Sequence, residues 1–285
     1  MPFTFRYVHH CCKKMNTVHN SSIRYFANFT RPAAHKAVVD EVEIKKFQNV
    51  KSDWWVPSSR KGTGPLHAMN PVRISFIKRQ LELFYPDKLD TSSVRNPLKS
   101  LDILDVGCGG GILTESLSRL GATVTGIDPG VENIRAAKMH ASLDPETSSI
   151  SYKVTTSDDL ANSGEQFDVV CSLEVIEHVP DPAQFVDTLC KLTKPKGSLF
   201  ISTMNKTAKS YLITILGAEY ITQQIPIGTH DWSKYIPPTQ LSECFEKNGV
   251  EVVNISGLVY NPLCNTWRID ENDTDVNYIM HAKLR

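Results

Sequence analysis

The sequence predicts an α/β fold in which helices cover both faces of a mostly parallel, seven-stranded sheet that ends in an antiparallel pair of strands. From residue 101 onward, short apolar runs alternate with stretches of helical period, which is the pattern of successive strand–helix units. The first apolar run stops at a group of glycines. The last two strand-like segments have no helix-length pattern between them, so we expect them to pair antiparallel at one sheet edge.

Apolar periodicity places each element along the chain. Strands are predicted at 101–106, 122–127, 150–155, 167–173, 197–202, 249–260 and 275–284. Helices are predicted at 37–50, 72–85, 111–119, 131–141, 182–193 and 237–248. Prolines and glycines interrupt residues 54–71, which we interpret as a loop. The chain then divides into an N-terminal helical cap at 37–90 and a main domain at 91–285, which carries an insertion at 205–236.

The composition indicates one globular domain and argues against several classes of protein. Of the 285 residues, 41% are hydrophobic and 22% are charged. No apolar run reaches the roughly 18 residues that a bilayer span requires. The seven cysteines show no C-x-x-C spacing, so neither a disulfide framework nor a zinc site is expected.

Charge is distributed unevenly along the chain. Residues 1–36 hold six of the 31 basic residues and none of the 31 acidic ones. Together with their Ser, Thr, Phe and Tyr content, this composition predicts a mitochondrial transit peptide, and a merely basic tail is the alternative. The rest of the chain is mildly acidic, which disfavours nucleic-acid binding because phosphate affinity depends on clustered Lys and Arg.

The stretch "LDILDVGCGGG" (101–111) predicts a nucleotide site at the carboxyl end of the first strand. The glycines that begin at Gly107 allow a ligand to approach the backbone closely. Asp128, 21 residues after Gly107, ends the second strand, where an acid can accept hydrogen bonds from ribose hydroxyls. A tight structural turn is the alternative. The site suits NAD or an adenosyl ligand, but Asp105 before the loop would repel a pyrophosphate and favours a ligand with an amino group and a sulfonium.

The segment "SLEVIEHVPDP" (172–182) carries Glu174, Glu177 and His178 just after the fourth strand. If the chain becomes helical there, these side chains share one face. Two carboxylates and an imidazole would suit a divalent metal such as Mg²⁺, which could lower the pKa of a phenolic hydroxyl. Helix capping by the glutamates and an ordinary loop histidine are the alternative.

The acid, glycine loop, ribose acid and terminal strand pair resemble the class I S-adenosylmethionine (SAM)-dependent methyltransferases, which have a Rossmann-like fold. The similarity is sharper in "MNPVRISFI", "EVIEHVPDP", "STMNKTAKSYLITILGAEYI", "GTHDWSKYI" and "DVNYIMHAKL". From about residue 40 onward, the chain resembles the mitochondrial O-methyltransferases of ubiquinone biosynthesis. The resemblance implies SAM, a divalent metal, and two catechol-type substrates: 3,4-dihydroxy-5-polyprenylbenzoate and demethylubiquinol.

The resemblance also implies roles for individual cofactor-binding residues. Arg73 would contact the SAM carboxylate, Gly107 and Asp128 would bind SAM through the loop and the ribose, and Leu173 would line the pocket. Asp158, after the third strand, is placed to meet the adenine amino group.

The metal ligands implied by the resemblance are Glu174, Glu177 and His178, acting in metal-assisted deprotonation of the catechol. We then expect direct in-line methyl transfer without a covalent enzyme intermediate. His230 and Asp231 are weaker candidates for a base near the substrate, with a structural loop as the alternative. An NAD-dependent oxidoreductase and a non-catalytic scaffold remain as rival functions.

The insertion at 205–236 contains an apolar block flanked by lysines. It is too short to span a bilayer but suits an interfacial segment, and a lid packed on its own domain is the alternative. Because a polyprenyl substrate resides in the membrane, we expect peripheral attachment to the matrix face of the mitochondrial inner membrane. The resemblance further implies partners among other ubiquinone-biosynthesis proteins in a complex.

Overall fold

The computed structural model describes residues 53–59, 63–90, 93, 96–223 and 225–285. The strands are β1 Asp102–Val106, β2 Thr123–Asp128, β3 Ser151–Val154, β4 Phe167–Leu173, β5 Thr193–Met204, β6 Glu251–Asn261, β7 Thr266–Asp270 and β8 Asn277–Lys283. The helices are α1 Thr63–Phe84, α2 Ile112–Arg119, α3 Val131–Ala141, α4 Ser157–Asn162, α5 Pro182–Leu192 and α6 Pro238–Lys247. The predicted transit peptide at 1–36 and the predicted helix at 37–50 lie outside the described residues.

The strands form one mixed sheet in the order β3-β2-β1-β4-β5-β8-β6-β7, with the first five parallel. Successive side chains of the central strands point to opposite faces of the sheet. Ile103 and Val169 pack with α1 and α2, whereas Leu104 and Val170 pack with α5 and α6, and all four are fully buried. Each such side chain contributes roughly 1.5–3 kcal/mol on burial. The predicted parallel sheet with two covered faces is therefore confirmed.

The C-terminal strands reverse direction, as predicted. Strand β8 pairs antiparallel with both β5 and β6. The sheet has eight strands rather than seven, because β7 adds to β6 through the pairs Leu258↔Ile269 and Tyr260↔Trp267. The alternation of Trp267 and Ile269 with polar residues was the signal for this strand, but five residues at a partly exposed edge made it weak.

The predicted loop at 54–71 is wrong from residue 63 onward, because α1 begins at Thr63 and continues through Pro71. Pro65 lies in the first turn, where a helix leaves its N–H groups unpaired and proline is tolerated. The buried face of α1, which includes Ile77 and Leu81, packs on the sheet and outweighs the hydrogen bond lost at Pro71. The short helix α4 was also missed; Thr156 caps it by accepting a hydrogen bond from the Asp159 N–H.

The insertion lies between β5 and α6. A turn of α-helix, Ala208–Ser210, continues as a π-helix, Tyr211–Ile221, and a 3₁₀ turn, Trp232–Lys234, precedes α6. Thr207 begins the helical part by accepting a hydrogen bond from the Ser210 N–H, with Ser210 capping in return. Across the residues that the structure describes, no helix is long and apolar enough to cross a membrane.

Candidate functional site

A cavity of about 220 Å³ opens at the carboxyl ends of β1, β2 and β4. Parallel strands bring their carboxyl ends to one edge of the sheet, so side chains that are distant in sequence meet there. Eight residues singled out from the sequence line this cavity: Arg73, Asp105, Gly107, Asp128, Asp158, Leu173, Glu174 and His178. We call it the cofactor cavity.

The glycine loop passes directly beneath the cofactor cavity. Gly107 has φ +74°, in the left-handed region, and a Cβ there would lie 2.5 Å from Val175 Cγ2. Both conditions require glycine. The N–H groups of Gly107 and Cys108 donate to the Ile127 carbonyl, which joins the loop to the end of β2.

Asp128 is held by donors on three sides. Its Oδ2 accepts from the Gly109 N–H at 3.0 Å, and its Oδ1 accepts from the Gly130 N–H at 2.7 Å and Asn133 Nδ2 at 3.0 Å. Burial raises the pKa of Asp128, while these hydrogen bonds oppose the rise. A carboxylate accepts about four hydrogen bonds, and protein donors occupy three of these positions. A ribose hydroxyl could therefore donate about one further bond to Asp128 without displacing a protein donor.

Arg73 and Asp105 form a buried charged wall of the cavity. Arg73 Nη2 donates to Asn70 Oδ1 at 3.2 Å, but its Nε has no hydrogen-bond partner. Burial lowers the pKa of Arg73, while the carboxylates of Glu174 and Asp105 oppose this. Asp105 Oδ2 accepts from Thr114 Oγ1 at 2.6 Å, and burial raises its pKa to about 6. An unpartnered guanidinium nitrogen beside a buried acid suits a ligand that carries a carboxylate and an amino group.

The condition for a shared helix face is not met after β4, because the chain forms only a 3₁₀ turn at Ile176–His178 and Glu174 precedes it with φ +59°. Glu174 Oε1 accepts from Ser202 Oγ at 2.6 Å, and Glu177 Oε2 accepts from Thr203 Oγ1 at 2.8 Å. The two glutamates are therefore oriented by β5, which neighbours β4 in the sheet, and not by a shared helix face.

The three predicted metal ligands are close in the chain but are not gathered around one point. Glu177 Oε1 lies 4.0 Å from His178 Nε2. Among the described residues, no group of three or more His, Cys, Asp or Glu side chains is arranged to hold a metal ion. Burial, followed by the charge of Glu177, raises the pKa of Glu174 to about 7. The metal site stays a prediction.

A much smaller cavity of about 10 Å³, here called the second cavity, lies beside Glu177 and His178 and has room for about one water molecule. His178 lines both cavities, so the two adjoin at this residue. His230 and Asp231 also line the second cavity. Asp231 caps the 3₁₀ turn by accepting from the Ser233 N–H at 2.9 Å, which favours the structural interpretation of that residue.

Sequence reasoning missed the buried acid that positions His230. Glu219, on the π-helix, is 1% exposed, and its Oε1 lies 3.0 Å from His230 Nδ1. It also accepts hydrogen bonds from the backbone N–H groups of Gly228 and His230. These bonds and the nearby histidine lower the pKa of Glu219 despite its burial. The signal that could have revealed Glu219 is the presence of a single acid inside a strongly apolar stretch of sequence.

The π-helix has an inverted distribution of side chains. Its buried members are Thr214 and Glu219, whereas large apolar side chains are exposed. The exposed apolar residues of the segment are Tyr211, Leu212, Ile213, Leu216, Tyr220, Ile221 and Ile227. Of the lysines that flank the apolar block, Lys209 is neutralised, because it pairs with Asp273 and Asp275.

Comparison with known proteins defines the class. A family model described as a methyltransferase domain matches residues 75–255. The plantazolicin methyltransferase BpumL is similar with a TM-score of 0.60 and 14% identity, over 87% of this chain and 98% of that one. Magnesium protoporphyrin IX methyltransferase from Synechocystis PCC 6803, with bound SAH (S-adenosylhomocysteine), gives a TM-score of 0.52 and 17% identity, over 77% and 84%. The chain is a SAM-dependent methyltransferase with the class I fold.

Curated relatives define the family more closely. The mitochondrial ubiquinone biosynthesis O-methyltransferase of Dictyostelium discoideum is 47% identical over 250 residues, which cover 84% of this chain and 76% of the relative. That of Arabidopsis thaliana is 42% identical, over 91% and 79%. The bacterial enzyme of Dinoroseobacter shibae is 43% identical, over 85% and 94%. The chain belongs to the ubiquinone biosynthesis O-methyltransferase family, which confirms the resemblance and excludes the NAD-dependent oxidoreductase.

Proposed function

We propose that this protein transfers the methyl group of SAM to a catechol hydroxyl of two polyprenylated intermediates, 3,4-dihydroxy-5-polyprenylbenzoate and demethylubiquinol. The observation that carries this proposal is the position of the cofactor cavity, whose wall at His178 lies next to His230 and close to a π-helix with exposed apolar side chains. A polar head group beside an apolar surface is what a prenylated catechol requires.

The residues of the cofactor cavity bind and orient SAM, whose sulfonium supplies the electrophilic methyl group. The unpartnered Nε of Arg73 is available to a carboxylate, Asp105 to an amino group, and Asp128 to a ribose hydroxyl. Leu173 contributes an apolar wall. With donor and acceptor held side by side, positioning supplies a large part of the rate acceleration, and no covalent enzyme intermediate is needed.

A divalent metal would suit the carboxylates of Glu174 and Glu177, whose charges act on each other, because no described group of three ligands is arranged to hold one. Mg²⁺ is commonly held by one or two carboxylates, with substrate oxygens and water completing its coordination. Glu174 and Glu177 would hold it, and His178 would remain a cavity wall. The ion would supply Lewis acidity that lowers the pKa of a catechol hydroxyl from about 10.

The test is methyl transfer from labelled SAM to a short-chain prenylated 3,4-dihydroxybenzoate, with and without EDTA. We expect labelled product that disappears on chelation and returns with Mg²⁺. Turnover that is indifferent to EDTA would remove the metal and keep the methyltransferase. A folded protein that binds SAH but methylates neither substrate would instead support the scaffold alternative.

We further propose that the protein works on the matrix face of the mitochondrial inner membrane, attached peripherally through the π-helix, alongside other ubiquinone-biosynthesis proteins. The inverted burial of the π-helix supports this placement, since a lid packed on its own domain would bury its apolar side. The acid-free basic composition of residues 1–36 and the mitochondrial names of two relatives support the compartment.

A further inference from the structure

The segment 53–59 lies against the glycine loop from the N-terminal side. Trp54 is 7% exposed and lines the cofactor cavity. A Cβ on Gly109 would come within 2.3 Å of Trp54 Cη2, and a Cβ on Gly110 within 2.4 Å of Trp54 Cγ. The indole therefore rests directly on the backbone of two loop glycines, whose missing side chains make room for it.

Hydrogen bonds connect Trp54 to the acid that faces the ribose. Trp54 Nε1 donates to Asn133 Oδ1 at 3.1 Å, and Asn133 Nδ2 donates to Asp128 Oδ1 at 3.0 Å. Asn133 is 4% exposed and also lines the cavity. A displacement of the indole thus disturbs a partner of Asp128 as well as the cavity wall.

Neighbouring contacts hold the segment in place. The Trp54 carbonyl lies 2.7 Å from His67 Nε2 on α1. Trp55 Nε1 donates to the Gly110 carbonyl at 2.9 Å, and its ring stacks on His140 with centroids 3.4 Å apart. These seven residues cross over the glycine loop. We call residues 53–59 the tryptophan strap.

We propose that Trp54 is a cofactor-binding residue, and that the tryptophan strap closes the cofactor cavity and slows the release of SAH. The indole covers the loop on which the cofactor rests, so the ligand gains aromatic contact and leaves only when this wall moves. Neither the family model, which begins at residue 75, nor the glycine motif assigns a role to this segment.

The experiment measures SAH dissociation from the full chain by stopped-flow displacement. In Trp54→Ala, we expect release to accelerate about tenfold. A lost aromatic contact is worth roughly 1.4 kcal/mol, which is tenfold in an equilibrium constant, and such changes fall mostly on the dissociation rate. Trp267→Phe, which removes a tryptophan that does not line the cavity, is the matched control and should release SAH at the wild-type rate.

Fluorescence provides a second measurement, for which Trp54→Phe keeps a ring in place should the alanine variant fold poorly. The chain has four tryptophans. We expect SAH to quench the tryptophan fluorescence of the wild type and of Trp267→Phe. In Trp54→Phe, SAH should no longer quench it. A merely structural role for Trp54 would lower the melting temperature of the free protein but leave the SAH-induced increase unchanged. SAH release within twofold of wild type in both Trp54 variants, with the quench retained, would overturn the proposal.

Discussion

The cofactor cavity and the π-helix bury opposite kinds of side chain. Around the cavity, apolar residues of β1 and β4 are buried in the core and acids appear only at the strand ends, as in other α/β proteins. In the π-helix, Glu219 and Thr214 are buried while leucines and isoleucines are exposed. The difference shows that one chain can satisfy the usual burial rule in one region and reverse it where an apolar partner is expected outside.

The buried acids of the two regions also differ in what they organise. Asp128 holds a loop and an asparagine side chain at the edge of a rigid sheet. Glu219 holds a loop and a histidine from a helix that has little core beneath it. We therefore expect loss of Asp128 to abolish cofactor binding and loss of Glu219 to impair the acceptor side alone.

The largest effect is expected for Asp128→Ala. This change leaves the Gly109 and Gly130 N–H groups and Asn133 without their acceptor, at roughly 1–3 kcal/mol for each buried unsatisfied group. Those unsatisfied groups lower the melting temperature. SAH affinity, measured by calorimetry, should fall by about 100-fold, because the ribose loses a hydrogen bond to a charged acceptor, which is worth up to about 3 kcal/mol. Asp87→Ala, at an exposed acid, is the control. Affinity that stays near wild type would remove Asp128 from the site.

Glu219→Leu should break the acceptor side without touching the cofactor side. It removes the acceptor of three donors, so the loop that carries His230 loses its anchor. We expect kcat/KM for a prenylated catechol to fall about tenfold, the cost of one lost charged hydrogen bond, with SAH affinity unchanged. Glu219→Gln, which keeps one carbonyl acceptor, should recover part of the activity. A parallel loss of SAH affinity would contradict the separation of the two regions.

Charge on the exposed face of the π-helix tests membrane attachment. We expect the double variant Leu212→Asp and Ile221→Asp to weaken flotation with anionic liposomes about tenfold, because two apolar side chains are lost from the interface. Turnover of a short-chain soluble substrate should be retained. Leu263→Asp, at a residue 95% exposed on the β6–β7 turn, is the matched control. Equal liposome binding by all three proteins would place the membrane surface elsewhere.

The last prediction concerns the stability of the ligand-free protein, which depends on the protonation of Asp105. Burial raises the pKa of Asp105 to about 6, so the folded state binds its proton more tightly than the unfolded state does. The resulting stabilisation is complete at low pH and is lost as pH rises from about 4 to 6, by about 3 kcal/mol at most for a rise of about two pH units.

Asp105→Asn removes this dependence. We expect the variant to melt a few degrees higher than wild type at pH 7, with the difference shrinking toward pH 4.5, while its SAH affinity falls because the acid is gone. Calorimetric melting curves across this pH range check the prediction. A constant difference in melting temperature at every pH would show that Asp105 does not titrate as described.

Local patterns predicted the scaffold of the cofactor site well. The alternation of strands and helices can be recognised from short-range periodicity. The glycine loop and the acids at 105 and 128 can be recognised because each stands at the end of a predicted strand. The same reasoning failed for residues 63–71 and for β7, because tertiary packing of α1 outweighed two prolines and a short edge strand gave a weak pattern.

The sequence by itself determined the fold class, the family and which side chains stand at the strand ends, because the positions of most strands and helices follow from local patterns that recur along the chain. Only the tertiary structure decided that Ser202 and Thr203 orient the two glutamates, that Glu219 faces inward to His230, and that Trp54 covers the glycine loop. These contacts join residues far apart in the chain. Periodicity carries no information about such distances, which are set by how the helices and the insertion pack on the sheet.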